Sequence, residues 1–208
     1  MPAFDPCYTL IVLAGGQGSR MGGCDKGMLT LGQQTFAELL VHRLRCSAAA
    51  FNPGYGPVLI SANRNQQDYG RIGAQVCADL RPDFQGPLAG LEAALSRASP
   101  DLPAVIVPCD MPLLPDNLPA GLLRSVMADQ RSVAVLHDGH RRQHLCLALW
   151  PQSALFSIRQ RLDENQRSVA GWLAGQLVAD VTFSEESVGA LPFACNINRT
   201  SDLAQLPG

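Results

Sequence analysis

Along the first 110 or so residues, blocks that are apolar at almost every position alternate with longer stretches whose apolar residues recur every three or four positions. The continuous blocks run from Thr9 to Ala14, Pro57 to Ala62, Ala74 to Ala78 and Ala104 to Pro108. Their length and β-branched content predict strands, and the absence of a polar face predicts that both faces are covered, as in a parallel sheet. The spaced stretches predict helices. Thr35 followed by Glu38 forms a capping box ahead of the run Phe36 to Leu44. Pro87 and Pro119 each stand where a helix can begin, because the N–H that proline lacks has no intrahelical partner there. Strands and helices in this alternation predict an α/β domain with right-handed crossovers.

Beyond Gln130 the pattern changes. Ser132 to His137 and His144 to Trp150 read as strands around the turn signal Asp138-Gly139, a hairpin expected at the sheet edge. Helical stretches follow over Ser153 to Asn165 and Val169 to Gln176, then a strand near Val178 to Phe183, and Thr200 is placed to cap a final short helix. There is no repeat, low-complexity tract or linker. One domain is expected over the 208 residues.

Composition narrows the classes. The hydrophobic and charged fractions, 47% and 16%, are those of a globular chain. A formal charge of -2 argues against a general nucleic-acid binder. The seven cysteines are odd in number and form no C-x-x-C, so neither a zinc knuckle nor a full disulfide set is expected. Reduced thiols fit a cytoplasmic protein. The start M-P-A-F-D-P-C has neither the basic residue nor the apolar core of a signal peptide, and no apolar run approaches the roughly 18 residues of a membrane span. No membrane or nucleic-acid partner is expected.

The candidate chemistry begins directly after the first strand, at L-A-G-G-Q-G-S-R-M-G-G-C-D-K-G (Leu13 to Gly27), with six glycines. Met21 stands where a dinucleotide fingerprint needs glycine, and Cys24 where a Walker A loop needs lysine, so neither common phosphate motif is present. The residue types still suit a triphosphate. Glycines at 15, 16 and 18 expose N–H groups to anions, Arg20 can grip a phosphate with two donors, and Lys26 supplies a point charge. The plain alternative is a surface loop with solvated cations.

Other candidates carry their own alternatives. Asp110 follows a buried strand and is a hard oxygen ligand suited to Mg²⁺ with substrate phosphates; it can equally cap the turn that follows. Asp79 ends another strand and can accept from a base edge or a ribose hydroxyl, or cap a turn. Asn63 can bond a base, or serve a plain turn. Gly86 to Gly90 can bring backbone close to a base, or simply pack a helix on the sheet. Asn196 and Asn198 alternate across Ile197 and point to one side. His137, His140 and His144 have no acidic or cysteine partner to complete a metal site. With Arg141 and Arg142 they are expected to form a cationic rim that draws an anion.

The glycine stretch resembles the signature of nucleotidyltransferases that activate small phosphorylated acceptors. Asp25-Lys26-Gly27 makes the resemblance specific to molybdenum cofactor guanylyltransferases, where sugar-nucleotide enzymes commonly have Pro-Lys. Four further motifs agree in order and spacing: S-A-N-R-N (Ser61 to Asn65), G-P-L-A-G (Gly86 to Gly90), P-C-D-M-P (Pro108 to Pro112) and the terminal N-I-N-R-T-S-D-L. The resemblance implies a single-domain Rossmann-like nucleotidyltransferase fold, with a nucleotide-binding half at about 8–115 and an acceptor-binding half at about 116–208. It implies that the backbone at Leu13, Ala14 and Gly15, with Gly16 in the same loop, lies along the nucleotide. Lys26 would then contact the phosphates, Asn63 and Asp79 would hold the nucleoside, and Asp110 would bind Mg²⁺ and the triphosphate. Arg20 joins Lys26 and Asp110 as the expected catalytic set. Arg141, Arg142, His144, Asn196 and Asn198 are expected on the acceptor side. The family often has His-Pro in this region, whereas here His144 is followed by Leu145.

The implied reaction attaches GMP from GTP to a molybdopterin-type cofactor and releases pyrophosphate, with cofactor-delivery or molybdoenzyme-maturation proteins as further partners. Cytidylyl transfer from CTP to the same cofactor is the alternative reading, and a nucleotide-binding regulatory or chaperone module without turnover is a more distant one.

Overall fold

Alternate residues of the first strand face opposite ways, and the protein covers both. The structure, a computed structural model, describes residues 7–16, 24–49, 56–184, 193, 196–197 and 202. From β1 (Thr9–Leu13), Leu10 and Val12 enter one apolar cluster while Ile11 and Leu13 enter a second on the other face. The first cluster takes in α1 (Phe36–Ala49), Tyr69 of α2 (Gln66–Arg71) and α4 (Leu118–Ala128). The second takes in α3 (Pro87–Leu95), α5 (Pro151–Asp163) and α6 (Val169–Leu173). Three layers with helices on both sides of the sheet result, as the unbroken apolar strands require.

The remaining strands are β2 (Thr30–Leu31), β3 (Gln34–Thr35), β4 (Val58–Ser61), β5 (Gln75–Cys77), β6 (Ala104–Pro108), β7 (Ser132–His137), β8 (Arg142–Leu149) and β9 (Leu177–Thr182). The main sheet has the order β5-β4-β1-β6-β8-β7-β9. β1 pairs in parallel with both β4 and β6, and β8 alone runs antiparallel to its neighbours β6 and β7. Strand positions agree with the apolar blocks to within two residues. The capping box is formed: Thr35 N donates to Glu38 Oε2 at 2.7 Å and Glu38 N to Thr35 Oγ1 at 3.2 Å.

The placement of the hairpin is corrected. β7 and β8 do not form the edge, because β9 pairs in parallel outside β7 over six residues and becomes the outermost strand on that side. A local pattern of two strands and a turn says nothing about which later strand will pair beyond it. Two short features carry no hydrophobic period and were not foreseen, namely α2 and the β2–β3 ribbon. α2 buries only Tyr69. Thr200, the expected cap of a last helix, lies outside the described residues. Cys7, Cys24, Cys77, Cys109 and Cys146 are free thiols, and among the described residues no helix is long and apolar enough to cross a membrane.

Candidate active site

Parallel strands deliver their carboxyl ends to one rim of a sheet, which is where open α/β folds hold ligands. Here that rim carries Ala14 to Gly16 after β1, Asn63 to Asn65 after β4, Asp79 after β5 and Asp110 after β6. The backbone ties these loops together. Ala14 N donates to Ser61 O at 2.8 Å and Cys109 N to Leu13 O at 3.0 Å. Because β8 is antiparallel, its first residues, Arg142 to His144, begin at the same rim.

The centre of the rim is an ion pair between residues 84 apart in sequence: Lys26 Nζ lies 3.0 Å from Asp110 Oδ2. Both side chains are about four-fifths buried, at 22% and 21% exposure, so solvent screens the pair only in part. Lys26 opens a single 3₁₀ turn (Lys26–Met28) capped by Asp25. Asp25 is itself buried, and its carboxylate accepts from Gly27 N at 3.2 Å, Tyr69 Oη at 2.6 Å and Asn65 Nδ2 at 2.9 Å.

A second polar group lies beside it. Asn63 Nδ2 donates to Asp79 Oδ2 at 2.8 Å, and Asp79 N donates back to Asn63 Oδ1 at 2.9 Å. Burial pushes the Asp79 carboxyl above its usual range; the Asn63 hydrogen bond opposes this and the charge of Glu92 adds to it. Arg64, between the two asparagines, donates to Gly16 O at 3.0 Å and so brings a further cation to the glycine loop. Behind Asp79, Glu92 of α3 is buried and accepts from Arg81 at 2.7 and 3.1 Å, while Arg81 also reaches Asp163 of α5 at 2.7 Å.

Asp110 also lines a cleft of about 310 Å³, with Pro108, Met111, Arg141, Arg142, Gln143, His144, Leu145 and Asn196 around it. Asn196 is brought there by Ile197 N, which donates to Asp110 O at 2.9 Å. Thus four of the five residues expected on the acceptor side share a wall with Asp110. The fifth, Asn198, and Arg20 lie outside the described residues.

The cationic rim is less positive than its residues suggest. Arg142 makes a bidentate pair with Asp180 of β9 at 2.6 and 2.9 Å, and Arg141 lies 4.0 Å from Asp138. The strand that displaced the hairpin from the edge supplied the neutralising carboxylate. His137 and His140 do not line the cleft; His137 Nδ1 accepts from Gly139 N at 3.2 Å in the turn. Among the described residues no group of three or more His, Cys, Asp or Glu could hold a metal ion. The donor set therefore does not make a closed cage. It fits a hard cation that arrives with phosphate oxygens and takes one carboxylate from the protein, the usual habit of Mg²⁺.

Asp25, Arg64, Asn65, Tyr69 and Glu92 were not singled out in the sequence as parts of this rim. The first three sit inside motifs already noted, D-K-G and S-A-N-R-N, where their polar side chains beside a buried strand were the available signal. Tyr69 had none.

Fold and rim together define a class, the α/β nucleotidyltransferases. A family model described as "MobA-like NTP transferase domain" matches residues 10–180. The chain belongs to that family. It is 36% identical to a molybdenum cofactor guanylyltransferase of Shewanella sp. (strain MR-4), the match covering 85% of each chain. It is 38% identical to the protein of the same name from Cupriavidus necator, over 94% of each. In fold it is similar to the crystal structure of molybdopterin-guanine dinucleotide biosynthesis protein A from Archaeoglobus fulgidus. The TM-score is 0.72 at 20% identity, over 95% of this chain and 96% of that one.

Proposed function

We propose that this protein transfers GMP from GTP to a molybdopterin-type cofactor, forming its guanine dinucleotide and releasing pyrophosphate. The observation that carries the reading is the Lys26–Asp110 pair at the strand ends, a cation and a hard carboxylate at 3.0 Å beside the glycine loop. The names of the relatives, at 36% and 38% identity, support the substrate.

In the reaction a terminal phosphate oxygen of the acceptor attacks the α-phosphorus of GTP. A bond from that oxygen to the α-phosphorus forms, the bond to the bridging α–β oxygen breaks, and the electron pair leaves with pyrophosphate. Such chemistry needs positioning and charge rather than a protein nucleophile. Leu13 to Gly16 lay backbone along the nucleotide, and Lys26 and Arg20 meet the charge that builds on the leaving group. Asn63 holds Asp79 in orientation, and the Asp79 carboxylate accepts from the nucleoside. Arg141, His144 and Asn196 face the acceptor across the cleft, with Arg142 in the same wall, and Asn198 completes the expected acceptor set. Mg²⁺, when bound at Asp110 with the triphosphate oxygens, supplies neutralising charge at the phosphates.

The test is pyrophosphate release with Mg²⁺, molybdopterin and either GTP or CTP. Turnover with GTP is expected. Turnover with CTP alone would keep the mechanism and overturn the named nucleotide, and release with neither would overturn the transferase reading.

A further inference from the structure

Lys26 has a neighbour on each side, and both meet the same phenol. Tyr69 Oη donates to the Asp25 carboxylate at 2.6 Å, and a Cβ on Gly27 would lie 2.3 Å from that same oxygen. Tyr69 is fully buried on α2, with its hydroxyl held in the neutral form by burial and by the hydrogen bond to Asp25. Asn65, at φ 49°, supplies the opposite oxygen of Asp25 with a donor at 2.9 Å. The carboxylate thus has three neutral donors, one of them Gly27 N within its own turn. Buried charge satisfied in this way is held in place rigidly, because each donor lost leaves a charge-assisted bond unmade in a low-dielectric site.

We infer that Tyr69 is a positioning residue for the reaction: through Asp25 and by its fit against Gly27, it sets the direction in which Lys26 leaves the 3₁₀ turn toward Asp110 and the phosphates. This rests on the nucleotidyl-transfer reading, and on Lys26 acting in it. The lysine stem is long and flexible, and its four torsions give no fixed direction unless the backbone that bears it is fixed. Lys26 reaches Asp110 at 3.0 Å from this turn, and Tyr69 touches the turn on both sides of Lys26.

A double-mutant cycle separates positioning from a merely structural role. Tyr69→Phe keeps the ring and removes the hydroxyl. Expected is a fall of about tenfold in kcat/KM for GTP, equivalent to about 1.4 kcal/mol, when Lys26 is present. In a Lys26→Ala background, read by single-turnover pyrophosphate release, the same change is expected to alter the rate less than twofold. Equal losses in both backgrounds, or full activity of Tyr69→Phe, would overturn the inference. If Tyr69→Phe fails to fold, Asn65→Gly, which keeps the left-handed backbone at φ 49° and removes one donor from the same carboxylate, is put through the same cycle with the same outcomes. A Lys26→Ala variant with undiminished turnover would instead overturn the role of Lys26, a separate result.

Discussion

At the scale of single residues, Asp79 sits where two demands on one carboxylate conflict. Burial and Glu92 favour its protonated form, while Asn63 favours the anion that can accept from a nucleoside. Since its folded pKa is raised above the ordinary 3.8, the native state holds more protons than the unfolded chain between those two values. Stability contributed by Asp79 therefore falls as pH rises through that window. Asp79→Asn keeps an acceptor for Asn63 and removes the buried charge. Its melting temperature at pH 7 is expected to equal or exceed that of the parent, with the difference closing below the window. Its KM for GTP is expected to rise about tenfold or more, as a charge-assisted bond is lost. Melting followed against pH, beside steady-state kinetics, checks both. Asp110→Asn and Lys26→Ala each remove a charge from the centre of the rim. A loss of about 10²–10³ in kcat is expected for each, the magnitude typical of one preorganised electrostatic group. Circular dichroism should show both variants folded.

At the scale of elements, the start of α3 is a tight joint in the site. A Cβ on Gly90 would meet Ser61 Oγ at 2.8 Å and come within 3.7 Å of Asp79 Oδ1. All eight residues of α3 after Pro87 are buried, so the helix has no free face toward which to shift. Gly90→Ala is expected to destabilise by about 1–3 kcal/mol, the range for overpacking. The same helix carries Glu92, whose pairing with Arg81 pins the loop after Asp79, and Arg81 in turn reaches α5 through Asp163. That loop has Asp83 and Phe84 in left-handed conformations, at φ 67° and 47°, which non-glycine residues adopt only when neighbours hold them. Glu92→Ala is expected to cost about 1.5–3 kcal/mol, since Arg81 keeps its second partner. For a chain of this length each kcal/mol lowers melting by about 2–4 °C, so calorimetry resolves both changes.

At the scale of the whole molecule, a ligand bound across several loops stabilises the fold that joins them. GTP with Mg²⁺ at about 100 times its Kd is expected to add about 2.7 kcal/mol and raise melting by roughly 5–10 °C. CTP at the same concentration is expected to give a smaller shift, and Asp110→Asn should reduce the response to GTP. A larger shift with CTP would contradict the assigned nucleotide even if the transferase fold stood. The sheet order also bears on the acceptor side. Arg142 is paired to Asp180 on β9, leaving Arg141, His144 and Asn196 as the polar wall that faces Asp110 across the cleft.

What the linear chain determined by itself was everything carried by local period or by a short contiguous motif. The unbroken apolar blocks dictated strands buried on two faces, Thr35 and Glu38 dictated the start of α1, and the D-K-G and P-C-D-M-P motifs pointed to Lys26 and Asp110. The strands and the cap follow from sterics and hydrogen bonding within a few residues, and the two motifs carry meaning through their family resemblance, so no knowledge of distant chain is needed for either. Tertiary structure alone decided which of those pieces meet. It set Lys26 against Asp110, paired Asn63 with Asp79, and placed β9 outside the hairpin so that Asp180 neutralises Arg142. It also made Tyr69, one aromatic in a polar six-residue helix, the support beneath the Lys26 turn. Such contacts depend on strand order and on loop closure across tens of residues, and neither leaves a period in the sequence.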